Sequence, residues 1–315
     1  MKIIGTGSCL PKRVVSNDEL STFLDTSDEW ISQRTGIKTR HVISDERLED
    51  MACEAATKAL AMAGKDPKEI EFFICSNVVN EYATPSLSCI ISSKIGLECP
   101  CIDINCACPG FVYALDIADS YYKAGKANNI LIVCADEPTR MCDWTDRSTC
   151  VLFGDGAGAV VFGPGDNVKG TRLRSQPSPD KIWQYRLLEP TPFITKTEVN
   201  TPLQMMGRDV FKFAVNASTT EVDALLQELG ISKEQVTYYI VHQANMRIID
   251  AIKNYLGEPE SKFPVNISDH GNSSSASCTI LLDECNRRGL FKEGDLLVFS
   301  AFGAGLLSGA AVIEW

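Results

Sequence analysis

ALAMAGKDPKEIEFFICSN, residues 59–77, and ALLQELGISKEQVTYYIVHQ, residues 224–243, follow one plan. Each carries a helical apolar spacing up to a glycine, a short polar link, and then an aromatic-rich apolar run. Gly64 matches Gly230, Ile70 matches Val236 and Ile74 matches Ile240, all at one offset of 166 (230 − 64). Period 3.6 giving way to a continuous apolar run predicts, in both copies, an amphipathic helix ended by glycine and followed by a buried strand. The echo extends downstream, where residues 114–136 and 281–303 again read helix, glycine, linker, strand. The ends pair as well, GAGAVVF from Gly156 with SGAAVIEW from Ser308. A repeat of this kind fixes architecture before any motif does. It predicts two βαβ-type halves of about 150 residues each, stacked so that both sheets are buried.

The expected divisions are an N-terminal half at 1–165, a connecting or covering loop at 166–206 and a C-terminal half at 207–315. Gly163, Pro164, Gly165, Pro177, Pro179, Pro190, Pro192 and Pro202 interrupt any regular pattern around the join. Long irregular stretches inside compact proteins are often lids or binding loops. Trp183 and Tyr185 are available there to line a tunnel.

Composition narrows the function. The 315 residues are 44% hydrophobic and 23% charged, near globular averages, and suffice for a large core. A net charge of -11 argues against general binding to nucleic acid or anionic lipid. No apolar run approaches the ~18 residues of a membrane span or a signal-peptide pattern, so a cytoplasmic protein is expected. Thirteen cysteines, an odd number without a secretion signal, read as reduced thiols. The C-x-C pairs Cys99/Cys101 and Cys106/Cys108 lack the second pair that a tetrahedral zinc site requires.

Cys108 stands out among these thiols. In DINCACPGFVYALDIA a strand-like segment, Cys101–Ile104, leads into Pro109 and an apolar helical pattern at Phe111, Ala114, Leu115 and Ala118. Pro109 suits a first helical position, and a thiol at a helix start is expected to have a lowered pKa. Cys106, two residues earlier in the turn, is the competing nucleophile. His242, one of three histidines, ends the apolar run TYYIVHQ, where a strand's carboxyl end presents it to a crevice. Asn272 sits in SDHGNSSSAS, a turn leading into the second copy of the Cys108 helix. Cys, His and Asn in this order also describe papain-like peptidases, but those place the cysteine in C-G-[SA]-C-[WY] near a mature N-terminus, not in C-P-G-F mid-chain. FGDGAGAVVF, from Phe153, lacks the lysine of a phosphate loop and reads as a tight turn with close backbone packing.

Together with IIGTGSCLP, TSDEWISQRTGI, TDRSTCVLFGDGAGA, VHQANMRII and FGAGLLSGAAV, these segments make the whole chain resemble the β-ketoacyl-acyl-carrier-protein synthase III family. The resemblance implies an α/β thiolase-like fold of five αβαβα layers and a homodimer. It implies decarboxylative Claisen condensation of an acyl-CoA starter with malonyl-acyl-carrier protein, with coenzyme A present as substrate thioester and no metal or redox cofactor. Cys108 is then the acylated nucleophile, with His242 and Asn272 stabilising the enolate. The backbone N–H groups of Cys108 and Ala304 form the oxyanion hole, although the family usually has glycine where Ala304 stands. By the same resemblance Trp30, Arg34, Arg147, Asn245 and Arg247 hold coenzyme A. Thr84 occupies a place that limits the acyl pocket, and Arg208, Lys212, Arg247 and Lys253 dock the carrier. Two other readings stay open: an acyltransferase of secondary metabolism with a non-carrier acceptor, and a non-catalytic partner subunit, which normally lacks the cysteine.

Overall fold

The computed structural model describes residues 1–185, 192–193 and 200–315. In the N-terminal half the strands are β1 (Lys2–Cys9), β2 (Phe72–Ser76), β3 (Cys101–Ile104), β4 (Ile130–Asp136) and β5 (Gly156–Gly163), in the order β1-β5-β4-β2-β3. Strands β2, β3 and β4 run parallel, while β5 is antiparallel to β4 and β1. The second sheet contains β6 (Val168–Ser175), β7 (Tyr238–Val241), β8 (Leu296–Gly303) and β9 (Leu307–Glu314), in the order β7-β8-β9-β6. Its β7–β8 pair is parallel, and β9 joins β8 and β6 antiparallel.

Helices separate and cover the sheets. α1 (Asp28–Thr35) lies near the site. α2 (Leu48–Ala63) packs Met51, Ala55 and Ala59 on the outer face of the first sheet. α3 (Gly110–Lys123) and α6 (Ala276–Arg287) lie between the sheets, where Phe111, Leu115, Ile280 and Leu281 share one core with Ile132, Phe162 and Phe299. α4 (Gly207–Leu229) and α5 (Met246–Leu256) cover the far face with Phe213, Leu225 and Ile249. The result is five layers, αβαβα. Strands buried on both faces read as unbroken apolar runs, as ILIVCAD of β4 does.

The repeat holds in detail. α2 ends at Gly64 and α4 at Gly230, both left-handed, and both cap N–H groups reach back to two carbonyls of the last turn. Each is followed by a short 3-10 turn with a capping box, Asp66 with Glu69 and Ser232 with Gln235. Ladder register refines the alignment. Cys75 pairs with Val133 and Val241 with Ser300, so the offset is 166 before the helix between the sheets and 167 beyond it (241 − 75; 300 − 133).

The expected connecting segment 166–206 needs correction, because its first part is β6, an edge strand of the C-terminal sheet. VKGTRLRS shows no clean alternation because its polar groups face a partner. Arg172 and Arg174 both pair with Glu221 of α4, whose side chain is almost fully buried. Farther on, Ile182–Trp183 pairs with Gln204–Met205 in a two-stranded ribbon. Residues 186–191 and 194–199 of the expected lid, Pro190 included, lie outside the described residues.

Candidate active site

Strand β3 delivers the chain to Cys108 as expected, with one difference at the turn. Ala107 takes φ 50°, Pro109 is the N-cap and Gly110 opens α3, so Cys108 precedes the helix by two residues. The turn fits because Gly110 has no side chain: a Cβ there would lie 1.9 Å from Ser76 Oγ and 3.2 Å from Ser275 Cβ. Gly303, at the end of β8, is equally constrained, since its Cβ would lie 2.9 Å from Cys108 N and 2.8 Å from Pro109 Cδ. Ala304 follows and lines the same cavity. Its φ is outside the left-handed region, so a side chain is compatible with the backbone there.

His242 follows β7 directly and is 1% exposed. Its Nδ1 is 2.6 Å from Ser277 Oγ, and its ring meets Phe302 edge-on at 5.3 Å. Burial lowers its pKa to about 3, so the imidazole is neutral. Asn272 accepts the Ser274 N–H through Oδ1 at 2.9 Å, which leaves its NH2 as the group able to donate into the cavity. The Asn272 backbone is bonded to Leu152 and Gly154, which ties this turn to the loop before β5. Close backbone packing there matches the expectation for FGDGAGAVVF: a Cβ on Gly158 would lie 2.2 Å from Thr279 Oγ1.

Cys108, His242, Asn272, Ser274, Phe302 and Ala304 all face one cavity of about 350 Å³. Ser274 Oγ is 3.7 Å from Cys108 Sγ, a sulfur hydrogen bond. The buried carboxylate of Asp136 accepts the Val78 N–H and both the N–H and the hydroxyl of Ser275, joining the end of β4 to the second half's turn. The expected lowering of the Cys108 pKa is not found. Burial pushes the thiol up to about 12, with the Ser274 hydroxyl and Cys108's own N–H opposing the rise and Asp136 adding to it. By accessible surface Cys108 is half-buried where it opens on the cavity, so it is the direction of this shift that counts: desolvation around the sulfur outweighs the helix terminus and favours the thiol at rest.

Trp30, Arg34, Arg147 and Asn245 line the same cavity. Both guanidinium groups lie over the Trp30 ring, Arg34 at 4.4 Å and Arg147 at 5.0 Å from its centroid. Arg147 also bonds Asp25. Asn245 caps α5 by accepting the Arg247 N–H, and Arg247 itself is exposed outside the lining. Arg208 and Lys212 are exposed on the first turns of α4 beside Gly207 and Phe211, which do line the cavity.

Three expected groups of residues lie away from this cavity or are engaged elsewhere. Lys253 is engaged with Asp250 at 2.8 Å and is 15% exposed, so it presents less free charge than Arg208 and Lys212. Thr84 sits on an exposed loop and lines no part of the cavity of this chain. Apolar walls come instead from Val78, Met141, Ile182, Leu203, Met205 and Phe211. Trp183 and Tyr185 are likewise absent from the lining, since alternation in the ribbon turns Ile182 toward the cavity and leaves Trp183 41% exposed. Among the described residues no group of three or more His, Cys, Asp and Glu is placed to hold a metal ion, and no helix is long and apolar enough to cross a membrane.

A cysteine at a helix start, facing an imidazole and a carboxamide from the opposite half of a duplicated αβαβα fold, defines a condensing enzyme of the thiolase fold. Residues 102–177 match the family model described as 3-oxoacyl-[acyl-carrier-protein] synthase III, and residues 226–315 match the model for its C-terminal region. The chain is 40% identical to β-ketoacyl-[acyl-carrier-protein] synthase III of Aquifex aeolicus, covering 100% of this chain and 99% of the relative. It is 38% identical to the protein of that name from Clostridium acetobutylicum, with coverage of 100% and 98%. The solved Aquifex structure superposes with a TM-score of 0.92 over 100% of this chain and 99% of that one. The priming β-ketosynthase of the R1128 polyketide pathway, at 33% identity, gives 0.94 over 99% and 95%. The chain belongs to the 3-oxoacyl-[acyl-carrier-protein] synthase III family.

Proposed function

We propose that the chain initiates fatty-acid or related polyketide synthesis by condensing an acyl-CoA starter with malonyl-acyl-carrier protein. The Cys108 thiol attacks the starter's thioester carbonyl; the bond to coenzyme A sulfur breaks, and the thiol proton leaves with coenzyme A. This exchange of one thiol for another consumes no base. Malonyl-carrier then enters, its carboxylate departs as carbon dioxide, and the electron pair remains as an enolate. His242 Nε2–H and Asn272 Nδ2–H are neutral donors suited to that oxygen, because they stabilise charge without protonating the carbanion. The carbanion attacks the acyl carbon, the oxyanion rests on the N–H groups of Cys108 and Ala304, and on its collapse Cys108 is expelled as a thiolate that takes up one proton from solvent to restore the resting thiol.

Trp30, Arg34, Arg147 and Asn245 are assigned to coenzyme A, whose adenine suits an aromatic face and whose phosphates suit guanidinium groups. The exposed Arg208, Lys212 and Arg247 near the cavity are assigned to an acidic carrier. No metal or redox group has a step in this reaction, and a cytoplasmic homodimer is the proposed working form.

The observation that carries this reading is the convergence of Cys108, His242 and Asn272 on one cavity, with their other polar atoms already engaged by Ser274 and Ser277. Intact-mass analysis after acyl-CoA treatment tests it. The wild type gains one acyl group and Cys108→Ala gains none, whereas His242→Ala is acylated but releases no carbon dioxide from malonyl-carrier. An adduct on Cys108→Ala, or loss of both steps in His242→Ala, contradicts the assignment.

A further inference from the structure

The decarboxylation step needs a proton on His242 Nε2, and a neutral imidazole carries its single proton on either nitrogen. We propose that Ser277 is a positioning residue that fixes His242 as the Nε2–H tautomer, so that the ring donates toward the cavity and does not accept from Cys108. The catalytic consequence rests on the function proposed above; the tautomer assignment does not.

Ser277, 2% exposed near the start of α6, has one hydroxyl hydrogen. The Gln243 backbone N–H, which can only donate, points at Ser277 Oγ at 3.3 Å and occupies an acceptor site. His242 Nδ1 lies 2.6 Å from the same oxygen. No carbonyl receives the Ser277 hydroxyl among the described hydrogen bonds. The Cys278 thiol is the other group within its reach, and sulfur is a weak acceptor. An imidazole nitrogen takes the hydrogen in preference, so Nδ1 accepts and Nε2 keeps the proton. Burial, which holds this imidazole neutral, leaves the choice of tautomer as the one protonic variable of the ring.

The internal repeat supplies a second observation. By the two offsets, His242 corresponds to Ser76 (242 − 76 is 166) and Ser277 to Gly110 (277 − 110 is 167). In the first half the strand-end residue and the helix-start residue are also in contact, but as serine against a glycine with no side chain to offer. Contact between these positions therefore belongs to the architecture. A hydroxyl at the helix start occurs in the half where the strand ends in an imidazole.

The test uses full-length protein labelled with 15N-histidine, with the His242 signals identified by their loss in His242→Gln. Wild type is expected to show an unprotonated Nδ1 and a protonated Nε2 at neutral pH. In Ser277→Ala that preference is lost, condensation falls about ten-fold, taken by analogy from the low end of what losing the outer partner of a metal-ligating histidine costs, and Cys108 acylation is unchanged. Ser277→Thr, which keeps the hydroxyl, restores both tautomer and condensation. A wild-type Nδ1–H tautomer overturns the proposal. So does a Ser277→Ala protein that keeps its tautomer and rate, or one that loses acylation and condensation equally. Should Ser277→Ala not fold, the wild-type and Ser277→Thr spectra decide. A wild type with the expected tautomer that decarboxylates no malonyl thioester supports this inference while removing the function proposed above.

Discussion

Replacing Gly303 by alanine tests the proposed oxyanion hole without touching a proposed catalytic side chain. The new Cβ would lie 2.8 Å from Pro109 Cδ, 2.9 Å from Cys108 N and 3.1 Å from Cys108 Cβ. Carbon atoms prefer about 3.5–4.0 Å, and the proline ring is bonded into the backbone it would have to leave. Relief must come from the Cys108 turn and the end of β8 separating by roughly half an ångström or more. Donors must lie about 2.7–3.1 Å from the developing oxyanion. The displacement therefore takes one of the two N–H groups out of range, at about 2.7–4 kcal/mol or a 10²–10³-fold loss in acylation rate. Overpacking costs about 1–3 kcal/mol of stability, which a protein of ordinary stability survives. Single-turnover release of coenzyme A measures the rate, and alkylation of Cys108 by iodoacetamide is the control, because that substitution builds no oxyanion. Gly170→Ala crowds only the flexible ends of Leu225 and Leu229 and should leave acylation intact. A folded Gly303→Ala protein that acylates at the wild-type rate, or loses alkylation equally, contradicts this expectation.

Two further outcomes are expected. Glu137 is 2% exposed, and burial raises its carboxyl to about 7 although Arg140 lies 3.1 Å away. The folded protein keeps a proton that the unfolded chain releases near pH 4.3, so this group's contribution is complete below about pH 4 and is lost as pH rises through 7. Glu137→Gln should therefore be more stable than wild type at pH 8, on the order of 2 kcal/mol, with no such gain at pH 4; urea midpoints at both pH values check it, and a gain of equal size at pH 4 contradicts it. Trp30→Ala should raise KM for acyl-CoA roughly ten-fold, as loss of one base–aromatic stack does. It should spare condensation of pre-acylated enzyme with malonyl-carrier, whose arm has no adenine. A ring stacking on the Trp30 face that Arg147 covers at 5.0 Å would require that guanidinium to swing aside by about 2 Å for van der Waals spacing.

The repeat made the layers legible, because helix, glycine and buried strand recur with different side chains but the same spacing. Cys108, His242 and Asn272 were legible for a related reason: each stands just past a strand or in the turn that leads into a helix, where a duplicated fold has its crevice. The run SSSAS was not. Ser273, Ser274, Ser275 and Ser277 look alike in sequence, and the backbone sorts them. The left-handed turn at Ser274, φ 54°, directs one hydroxyl to Cys108, the next to Asp136 and the last to His242. Strand β6 was hidden because the arginines that break its apolar pattern pair with a glutamate buried beneath them, a contact 47 or more residues away in sequence. The state of the thiol is not legible in sequence, which shows the helix terminus but not the desolvation around the sulfur.

Duplication also explains why the three groups share one cavity. The left-handed residues Ala107 and Ser274 are counterparts at the 167 offset, which makes Cys108 the counterpart of Ser275. The two turns touch, since a Cβ on Gly110 would lie 3.2 Å from Ser275 Cβ. A fold that packs two equivalent helix starts against each other gives one crevice with two chances at each role. Here the first turn carries sulfur where the second carries a hydroxyl engaged by Asp136, and the second half's strand end carries imidazole where the first has serine. The proposed nucleophile and the proposed enolate donors thus come from opposite copies.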